Sequence, residues 1–335
     1  MLLEGKIVQR LLDSKVLKKN LAGVTSSRII TAYLPKEALS DNPQSCPVLY
    51  CLAPWTSAGR VLLDWKPFKI SLPERVEALI KQKVIPPTIV VCPDLYTEYG
   101  GSQYIDSEFF GAHSTHLVEE VFPFVENEFP VLAGSRHRGI FGRSSGGFGA
   151  LRLAMDYPGV VNSVACHSGD LGFDLMFYGD LVTLADKLTF YHSSPEKFLE
   201  YTRVSNKLSP GDVHLLMLLG GCGFYSPNAA SKFGFDLPID LYSGKIIESV
   251  WSKWLTHDPV RRLDAKRAEA LGKLKSLYIE CGTKDQFHLL YGARQMHDLL
   301  TEQGVSHRYE EFPDNHSGTD YRYDTSLPGL VGSLL

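Results

Sequence analysis

The sequence contains few of the features that mark secreted, membrane-spanning or metal-dependent proteins. Its 335 residues include six cysteines, and none of them forms the Cys-x-x-Cys pair that is typical of zinc sites. Four of the six fall within predicted buried strands, where a free cysteine acts as a small apolar side chain. No apolar run approaches the ~20 residues of a membrane span, and no secretion signal is recognisable. These absences predict a protein of the reducing cytoplasm that holds no metal.

The balance of charged residues argues against nucleic acid as a partner. Lys and Arg together number 34 and Asp and Glu 38, so the net charge is −4 at pH 7 with histidine neutral. The basic residues are scattered, and no stripe of them could follow a phosphate backbone. A chain of this length with 44% hydrophobic residues can bury a large core. The composition agrees with a globular enzyme that acts on a small molecule, and it leaves homo-oligomerisation open.

Strands alternate with helices along most of the chain. This order predicts an α/β fold, with a mostly parallel central sheet flanked by helices. The first two strands, near residues 6–12 and 28–34, are expected to form an antiparallel edge. Core helices are predicted over the ranges 73–83, 114–129, 146–157 and 289–302.

The alternation stops in the middle of the chain. Residues 171–256 are rich in aromatic side chains and read as irregular, with helical patches only near 194–202 and 246–254. A segment this long is not a simple connection within a compact sheet. We interpret it as an inserted, mainly helical cap, whose Phe177 and Trp251 are expected to line an apolar pocket. The core is then formed by residues 1–170 and 257–335.

The most informative motif is Gly-Arg-Ser-Ser-Gly-Gly at residues 142–147, which contains G-x-S-x-G centred on Ser144. An apolar, strand-like run precedes it at 138–141, and a helical run of small and apolar residues follows. This strand–turn–helix context is that of a nucleophile elbow, in which a strained turn exposes the serine at the end of the sheet. Ser144 is therefore the predicted nucleophile.

A serine hydroxyl needs a base, and the base needs an acid that orients it. In the hydrolase sheet these follow in the order serine, acid, histidine. Asp285 follows a predicted buried strand at 276–283, and His316 lies in the loop after the last strand, 306–312. Both loops are expected to open at the same sheet edge as Ser144, which favours Ser144, His316 and Asp285 as a triad.

Three other residues compete for these roles. His288 lies three residues beyond Asp285, but it falls at a predicted helix start. Asp170 follows the strand at 161–167 and could reach a histidine or the pocket from that side. Asp314 is too close to His316 in the chain to orient its ring easily.

Several segments together carry a family resemblance. The chain resembles the esterase D-like branch of the α/β-hydrolases, which includes S-formylglutathione hydrolases, feruloyl esterases, enterochelin esterases and antigen 85 mycolyltransferases. It is most similar to loosely characterised carboxylesterases of that group. The resemblance implies an α/β-hydrolase fold and a serine esterase that needs no cofactor. The segments are Tyr33-Leu34-Pro35, Gly100-Gly101-Ser102-Gln103-Tyr104, the elbow at 142–151, His167-Ser168-Gly169-Asp170, and Gly282-Thr283-Lys284-Asp285-Gln286-Phe287.

One segment departs from the family pattern. Many members carry a His-Gly or Asp-Gly pair after the third strand, where a backbone amide forms half of the oxyanion hole, whereas this chain has Pro54-Trp55. Proline has no N–H, so the resemblance assigns this donor to the Trp55 amide. The second donor is the amide of Ser145, directly after the nucleophile. The Trp55 ring is also expected to form a wall of the pocket.

The loop 99–104 follows a strand that points towards this site. Its two glycines allow backbone shapes closed to other residues, and we expect Gln103 or Tyr104 to border the substrate pocket. A purely structural role for Gln103, in tying the loop down, stays open.

The sequence therefore predicts a carboxylic ester hydrolase that forms an acyl-enzyme on Ser144 and accepts short to medium acyl groups. Acyl transfer to an alcohol and thioester hydrolysis use the same triad and stay as alternatives. A catalytically silent binding protein on this fold is a third alternative, against which the apparently complete triad argues.

Overall fold

A single sheet forms the centre of the molecule. The computed structural model describes residues 3–335, and eight of the ten strands within them pair side by side in this sheet. The other two, Asp106–Ser107 and Gly111–Ala112, form a separate short antiparallel pair. The strands of the central sheet are β1 (Lys6–Asp13), β2 (Ser27–Leu34), β3 (Val48–Leu52), β4 (Ile89–Pro93), β5 (Arg138–Arg143), β6 (Ser163–His167), β7 (Ser276–Gly282) and β8 (Arg308–Phe312).

The strands lie across the sheet in the order β1-β2-β4-β3-β5-β6-β7-β8. β2 pairs antiparallel with both β1 and β4, whereas all the remaining pairs are parallel. The predicted mostly parallel sheet with an antiparallel edge is thus confirmed. Because parallel strands end at the same edge, the loops after β3, β5, β6, β7 and β8 come together there, as they do around the ligand sites of open α/β sheets.

The composition of the central strands explains their position. Every residue of β3, β4 and β6 is buried, which is expected for parallel strands covered on both faces. The edge strand β1 instead exposes most of its residues and carries charged side chains such as Lys6 and Arg10. Charges on an edge strand discourage pairing with another chain.

Helices cover both faces of the sheet. No helix among residues 3–335 is both long and apolar enough to cross a membrane. The α-helices are α1 (Gly59–Leu63), α2 (Leu72–Lys81), α3 (His113–Thr115), α4 (Phe122–Glu128), α5 (Ser145–Asp156), α6 (Phe173–Met176), α7 (Asp180–Thr189), α8 (Pro195–Val204), α9 (Pro210–Tyr225), α10 (Glu248–Leu255), α11 (Pro259–Arg262), α12 (Ala265–Gly272), α13 (Leu289–Glu302) and α14 (Tyr323–Gly332). Short 3₁₀ turns occupy Val16–Lys18, Lys36–Leu39, Ser135–His137 and Thr319–Arg322.

The core helices lie close to their predicted positions. α2, α5 and α13 begin and end within two residues of the ranges 73–83, 146–157 and 289–302. The prediction of one regular helix over 114–129 was wrong in detail, because His116–Val121 is π-helical and separates α3 from α4. Pro123 lies in the first turn of α4. It has no N–H to donate to a carbonyl of the preceding turn, so the regular helical hydrogen bonds are interrupted there.

The segment 171–256 is more regular than its sequence indicated. Besides α8 and α10, which match the predicted patches, it contains α7 and the 16-residue α9. α9 begins at a capping box, in which the Ser209 hydroxyl accepts the N–H of Asp212 and the Asp212 carboxylate accepts the N–H of Ser209. Three glycines in its last two turns weaken the helix signal in the sequence.

Those glycines have a packing role. A Cβ added at Gly220 would lie 2.3 Å from the Trp55 ring, and one at Gly221 would lie 2.7 Å from the Trp254 ring. α9 therefore needs glycine because four aromatic rings lie directly against its backbone, the other two being those of Phe109 and Phe110 beside Gly223.

The close approach of α5 to the sheet depends on glycine in the same way. A Cβ at Gly146 would lie 2.1 Å from the Leu52 carbonyl oxygen, and one at Gly142 would lie 2.5 Å from the Gly146 carbonyl carbon. Both obstacles are backbone atoms, which cannot turn aside as a side chain can. Helix α5 and strand β3 are consequently in direct backbone contact next to the turn that carries Ser144.

We predict that Gly146→Ala lowers the free energy of unfolding by about 2 kcal/mol or more, since overpacking against backbone is not relieved by a rotamer change. The matched control is Gly272→Ala at the end of α12, where a Cβ meets nothing within 4 Å. It should leave stability unchanged or raise it by up to about 1 kcal/mol, because alanine favours helix. Urea unfolding of both variants tests this. Equal stability of the two would contradict the packing argument.

Candidate active site

Ser144 occupies the sharp turn between β5 and α5. Its backbone has φ 56° and ψ −128°, a conformation that a residue with a side chain rarely adopts. Its N–H donates to the His167 carbonyl at 3.0 Å, and its carbonyl accepts the N–H of Phe148 at 2.9 Å. The turn is thus held from both sides, and the half-buried serine lies at the edge where the parallel strands end.

His316 and Asp285 lie side by side in the loops after β8 and β7. His316 Nδ1 is 2.8 Å from Asp285 Oδ2, and both side chains are buried. Asp285 Oδ1 accepts the N–H of Phe287 at 3.0 Å, which fixes the carboxylate. The Phe287 ring meets the imidazole edge to face, with centroids 5.0 Å apart. A carboxylate at Nδ1 holds the proton on that nitrogen and leaves Nε2 free to accept one.

Two further residues, which sequence reasoning missed, hold the His316 backbone. Arg143 Nη1 donates to the His316 carbonyl at 2.6 Å, and the His316 N–H donates to Gln286 Oε1 at 3.0 Å. Arg143 directly precedes Ser144, and Gln286 directly follows Asp285. Their places in the elbow and in the segment at 282–287 are the only signal in the sequence that points to them.

The Ser144 hydroxyl is directed towards another acid. Its Oγ donates to Asp170 Oδ1 at 3.4 Å, and no hydrogen bond joins it to His316 within residues 3–335. Ser144 and His316 nevertheless line the same cleft. Catalytic hydrogen bonds are often long or misaligned without substrate and tighten when it binds.

That cleft has a volume of about 270 Å³, slightly below the usual range for a drug-sized ligand. It opens beside the elbow and is walled by apolar side chains from both the core and the segment 171–256. The lining residues are Pro54, Trp55, Thr56, Arg143, Ser144, Met176, Met217, Gln286, Phe287, Leu289, His316, Ser317 and Gly318.

The two residues whose amides are predicted to form the oxyanion hole adjoin this cleft: Trp55 lines it, and Ser145 directly follows Ser144, which lines it as well. Neither the Trp55 N–H nor the Ser145 N–H meets an acceptor in the described part of the chain. Ser145 is the first residue of α5, so its amide has no partner within the helix and benefits from the positive end of the helix dipole. The Trp55 carbonyl accepts the Gly101 N–H at 2.6 Å, which anchors this loop.

The predicted pocket residues of the 99–104 loop lie deeper than the cleft surface. Tyr104 is buried, and its hydroxyl donates to the Ala53 carbonyl at 2.7 Å. This bond supports the loop that carries Trp55. Gln103 is also buried and donates from Nε2 to Asp170 Oδ2 at 3.2 Å. Asp170 and, through it, Gln103 thereby lie beside Ser144 Oγ, but neither they nor Tyr104 is among the residues that line the cleft.

Phe177 and Trp251 lie elsewhere. Both are buried in an aromatic cluster, in which the Phe177 and Trp254 rings meet edge to face at 5.3 Å and the Tyr178 and Trp251 rings at 5.6 Å. The segment 171–256 instead contributes Met176 and Met217 to the cleft.

Two of the residues that compete for the triad, His288 and Asp314, form no hydrogen bond with Ser144 or the His316 ring within residues 3–335. His288 is exposed, with φ 61°, at the start of α13. Asp314 bonds the Tyr321 hydroxyl at 3.2 Å and not His316. A larger depression of about 700 Å³ lies between α7 and the residues that follow α9, but it contains none of the predicted site residues.

The chain matches one known protein family over most of its length. Residues 24–330 match the model of the family described as "Putative esterase". The chain belongs to that esterase family. It is accordingly an enzyme, a serine esterase that hydrolyses carboxylic esters. The resemblance seen in the sequence is confirmed by this match, which covers most of the chain.

Solved structures show the same fold at low sequence identity. The esterase is similar to a ferulic acid esterase, with a TM-score of 0.61, 19% identity and 98% of each chain covered. It is similar to the serine hydrolase FphF of Staphylococcus aureus, with a TM-score of 0.58, 16% identity and 98% of each chain covered. An S-formylglutathione hydrolase from Agrobacterium tumefaciens matches with a TM-score of 0.58, 16% identity and coverage of 100% of this chain and 98% of that one. No curated protein matched in sequence. The α/β-hydrolase fold is confirmed.

Asp170 is the most perturbed carboxyl at the site. Burial, more than any other cause, raises its pKa to about 6, while the hydrogen bonds from Gln103 and Ser144 and the charge of His316 act in the opposite direction. The carboxyl is therefore charged in the folded esterase only at a cost in stability, which develops as the pH rises from about 4, the ordinary pKa, towards 6.

We predict that Asp170→Asn raises the free energy of unfolding by about 1–3 kcal/mol at pH 8, since one pKa unit corresponds to about 1.4 kcal/mol. The gain should be smaller at pH 4.5, where the folded-state carboxyl is already mostly protonated. Urea unfolding at the two pH values measures it. Asp174→Asn is the control, because Asp174 is about half exposed and pairs with Arg261 at the surface. A gain for Asp170→Asn that is the same at both pH values would contradict the assignment of a buried charge.

Proposed function

We propose that this esterase cleaves its substrates through a covalent acyl-enzyme on Ser144, with His316 as the base and Asp285 as the orienting acid. The observation that carries the proposal is the buried pair of His316 Nδ1 and Asp285 Oδ2 at 2.8 Å, in a cleft shared with the strained Ser144. A serine, a carboxylate and an imidazole that follow one another in this order along the chain and meet at one sheet edge are what nucleophilic ester cleavage needs.

In the first half of the proposed reaction, Ser144 Oγ attacks the ester carbonyl carbon while its proton passes to His316 Nε2. The carbonyl oxygen becomes an oxyanion, which the free N–H groups of Trp55 and Ser145 stabilise. Donors already in place for a developing charge typically lower the barrier by several kcal/mol. Asp285 stabilises the imidazolium that forms, and His316 returns its proton to the leaving alcohol oxygen.

In the second half, a water molecule takes the place of the alcohol. His316 removes its proton as it attacks the acyl carbon, a second oxyanion forms at the same two amides, and the acid departs as Ser144 regains its proton. The backbone bonds from Arg143 and Gln286 keep the imidazole in place for both proton transfers. Water is the acceptor in this scheme, so the products are a carboxylic acid and an alcohol.

We further propose that residues 171–256 act as a cap on the core formed by 1–170 and 257–335, and that this cap restricts the acyl group to short or medium length. Met176 and Met217 from the cap line the cleft, whose volume is about 270 Å³. The Trp55 ring packs against Gly220 of α9, so the cap also contacts the loop that carries the oxyanion donor.

Replacement of Ser144 or His316 by alanine is expected to lower kcat/KM for p-nitrophenyl butyrate by about 10³-fold or more, because each removes a member of one catalytic unit. Asp285→Asn should lower it strongly as well, since an amide favours the wrong imidazole tautomer. Purified variants and wild type are assayed side by side, with thermal unfolding to show that each is folded.

Asp314→Asn is the matched control for the acid, as it changes a carboxylate in the His316 loop that does not contact the imidazole. It should keep most of the activity. Near-normal turnover by Ser144→Ala would overturn the nucleophile assignment, and a larger loss from Asp170→Asn than from Asp285→Asn would transfer the acid role to Asp170.

Activity should reach a maximum at short acyl groups and decline for long ones. A closed apolar pocket excludes longer chains sterically, whereas an open groove would bind each further methylene with about 0.8 kcal/mol. The measurement is kcat/KM for p-nitrophenyl esters from acetate to palmitate below their micellar concentrations. A steady rise up to palmitate would contradict the restrictive cap.

A further inference from the structure

Asp170 stands out among the buried groups that the proposed reaction does not use. Its carboxylate lies beside the nucleophile, with Oδ1 3.4 Å from Ser144 Oγ, and the residue is 2% exposed. Asp285 already occupies Nδ1 of His316, so the triad has no second position for an orienting acid. A buried acid at this distance from the nucleophile therefore needs a different explanation.

The carboxylate has no cationic partner in the protein. Its side-chain hydrogen bonds come from the neutral Gln103 amide and the neutral Ser144 hydroxyl, and no Lys, Arg or His of residues 3–335 forms an ion pair with it. Buried carboxylates are normally paired with a cation or fully hydrogen-bonded. A buried carboxylate that has neither is a site where a donor group from outside the protein would complete the network.

Other polar atoms around Asp170 are incomplete as well. Gln103 Oε1 and the Tyr225 hydroxyl are both buried and have no hydrogen-bond partner in the described structure. Gln103 donates to Asp170 from Nε2, and the charge of Asp170 adds to the burial that raises the pKa of Tyr225. The three residues come from three separate parts of the chain: the loop 99–104, the loop after β6 and the end of α9.

The character of this group favours one kind of ligand. Asp170 and Gln103 Oε1 offer acceptors, and a bare carboxylate next to a developing oxyanion would oppose the reaction. A substrate group that donates hydrogen bonds satisfies the acceptors and offsets the negative charge. The leaving alcohol oxygen must face His316 to be protonated, which leaves the region of Asp170 to the acyl half of the ester.

We propose that Asp170 and Gln103 form a polar subsite that selects esters whose acyl group carries a hydroxyl or ammonium donor on the carbon next to the carbonyl. This inference rests on the proposed acyl-enzyme mechanism and names its substrate class. In the acyl-enzyme, a donor atom on that carbon is three bonds from Ser144 Oγ. It therefore stays close enough to Oγ to reach Asp170 Oδ1, which is 3.4 Å from Oγ.

Three methyl esters of nearly equal size and shape test the proposed subsite. Methyl isobutyrate, methyl lactate and alanine methyl ester differ only in a methyl, hydroxyl or ammonium group at the same carbon. Their kcat/KM values, from titration of the released acid and divided by each ester's rate of alkaline hydrolysis, are measured for wild type, Asp170→Leu, Asp170→Asn and the control Asp174→Asn. Thermal unfolding shows whether each variant is folded.

Wild type and Asp174→Asn should favour the lactate or the alanine ester over the isobutyrate by at least tenfold. Asp170→Leu should lose that preference, and Asp170→Asn should lose it at least for the ammonium, because the amide has no charge. The faster of these two esters shows whether the subsite prefers a hydroxyl or an ammonium donor.

Three results would overturn the inference: equal rates for the three esters with wild type, a preference that survives in Asp170→Leu, or an equal loss on all three esters in that variant. If Asp170→Leu does not fold, the wild-type series and Gln103→Leu decide in the same way. The proposed mechanism is judged separately, since it fails only if Ser144→Ala still hydrolyses methyl isobutyrate.

Discussion

The structure depends on the direct backbone contact between helix α5 and strand β3. Gly142 and Gly146 permit that contact because any Cβ at either position would collide with backbone atoms. The chain must therefore reverse from β5 into α5 within one residue, and Ser144 takes a positive φ as a result. The same geometry leaves the first amides of α5 without partners in the helix, so one packing constraint positions both Ser144 and an amide that we propose as an oxyanion donor.

The rest of the site is assembled around that turn by loops that are distant in sequence. Asp285 and His316 meet because β7 and β8 are parallel neighbours and end at the same edge. Arg143 then joins the turn after β5 to the His316 loop, and the Trp55 ring joins the loop after β3 to α9. Each part of the site is thereby supported by a rigid element, which is what a preorganised site requires.

Asp170 shows how such a site conflicts with stability. Its carboxyl is buried next to Ser144 and forms no ion pair within residues 3–335, and burial is the chief cause that raises its pKa to about 6. A charge held in this way lowers the stability of the empty enzyme, and strained or under-satisfied groups are common where a ligand completes the network. Cys166 and Cys281, which lie in β6 and β7 nearby, are by contrast inert fillers whose pKa is raised by burial.

Local sequence patterns by themselves determined the alternation of strands and helices, the elbow around Ser144 and the order in which acid and histidine follow it. These features depend on residues close together in the chain, such as the glycines that flank Ser144. Only the tertiary structure decided that Ser144 Oγ faces Asp170, that Arg143 and Gln286 hold His316, and that Met176 and Met217, in place of Phe177 and Trp251, line the cleft. The helix α9 was missed for the same reason. Glycine lowers helix propensity locally, and the aromatic rings that require glycine there belong to residues far away in sequence, namely Trp55, Phe109, Phe110 and Trp254. Contacts between distant segments depend on how whole elements pack, and no local pattern records that packing.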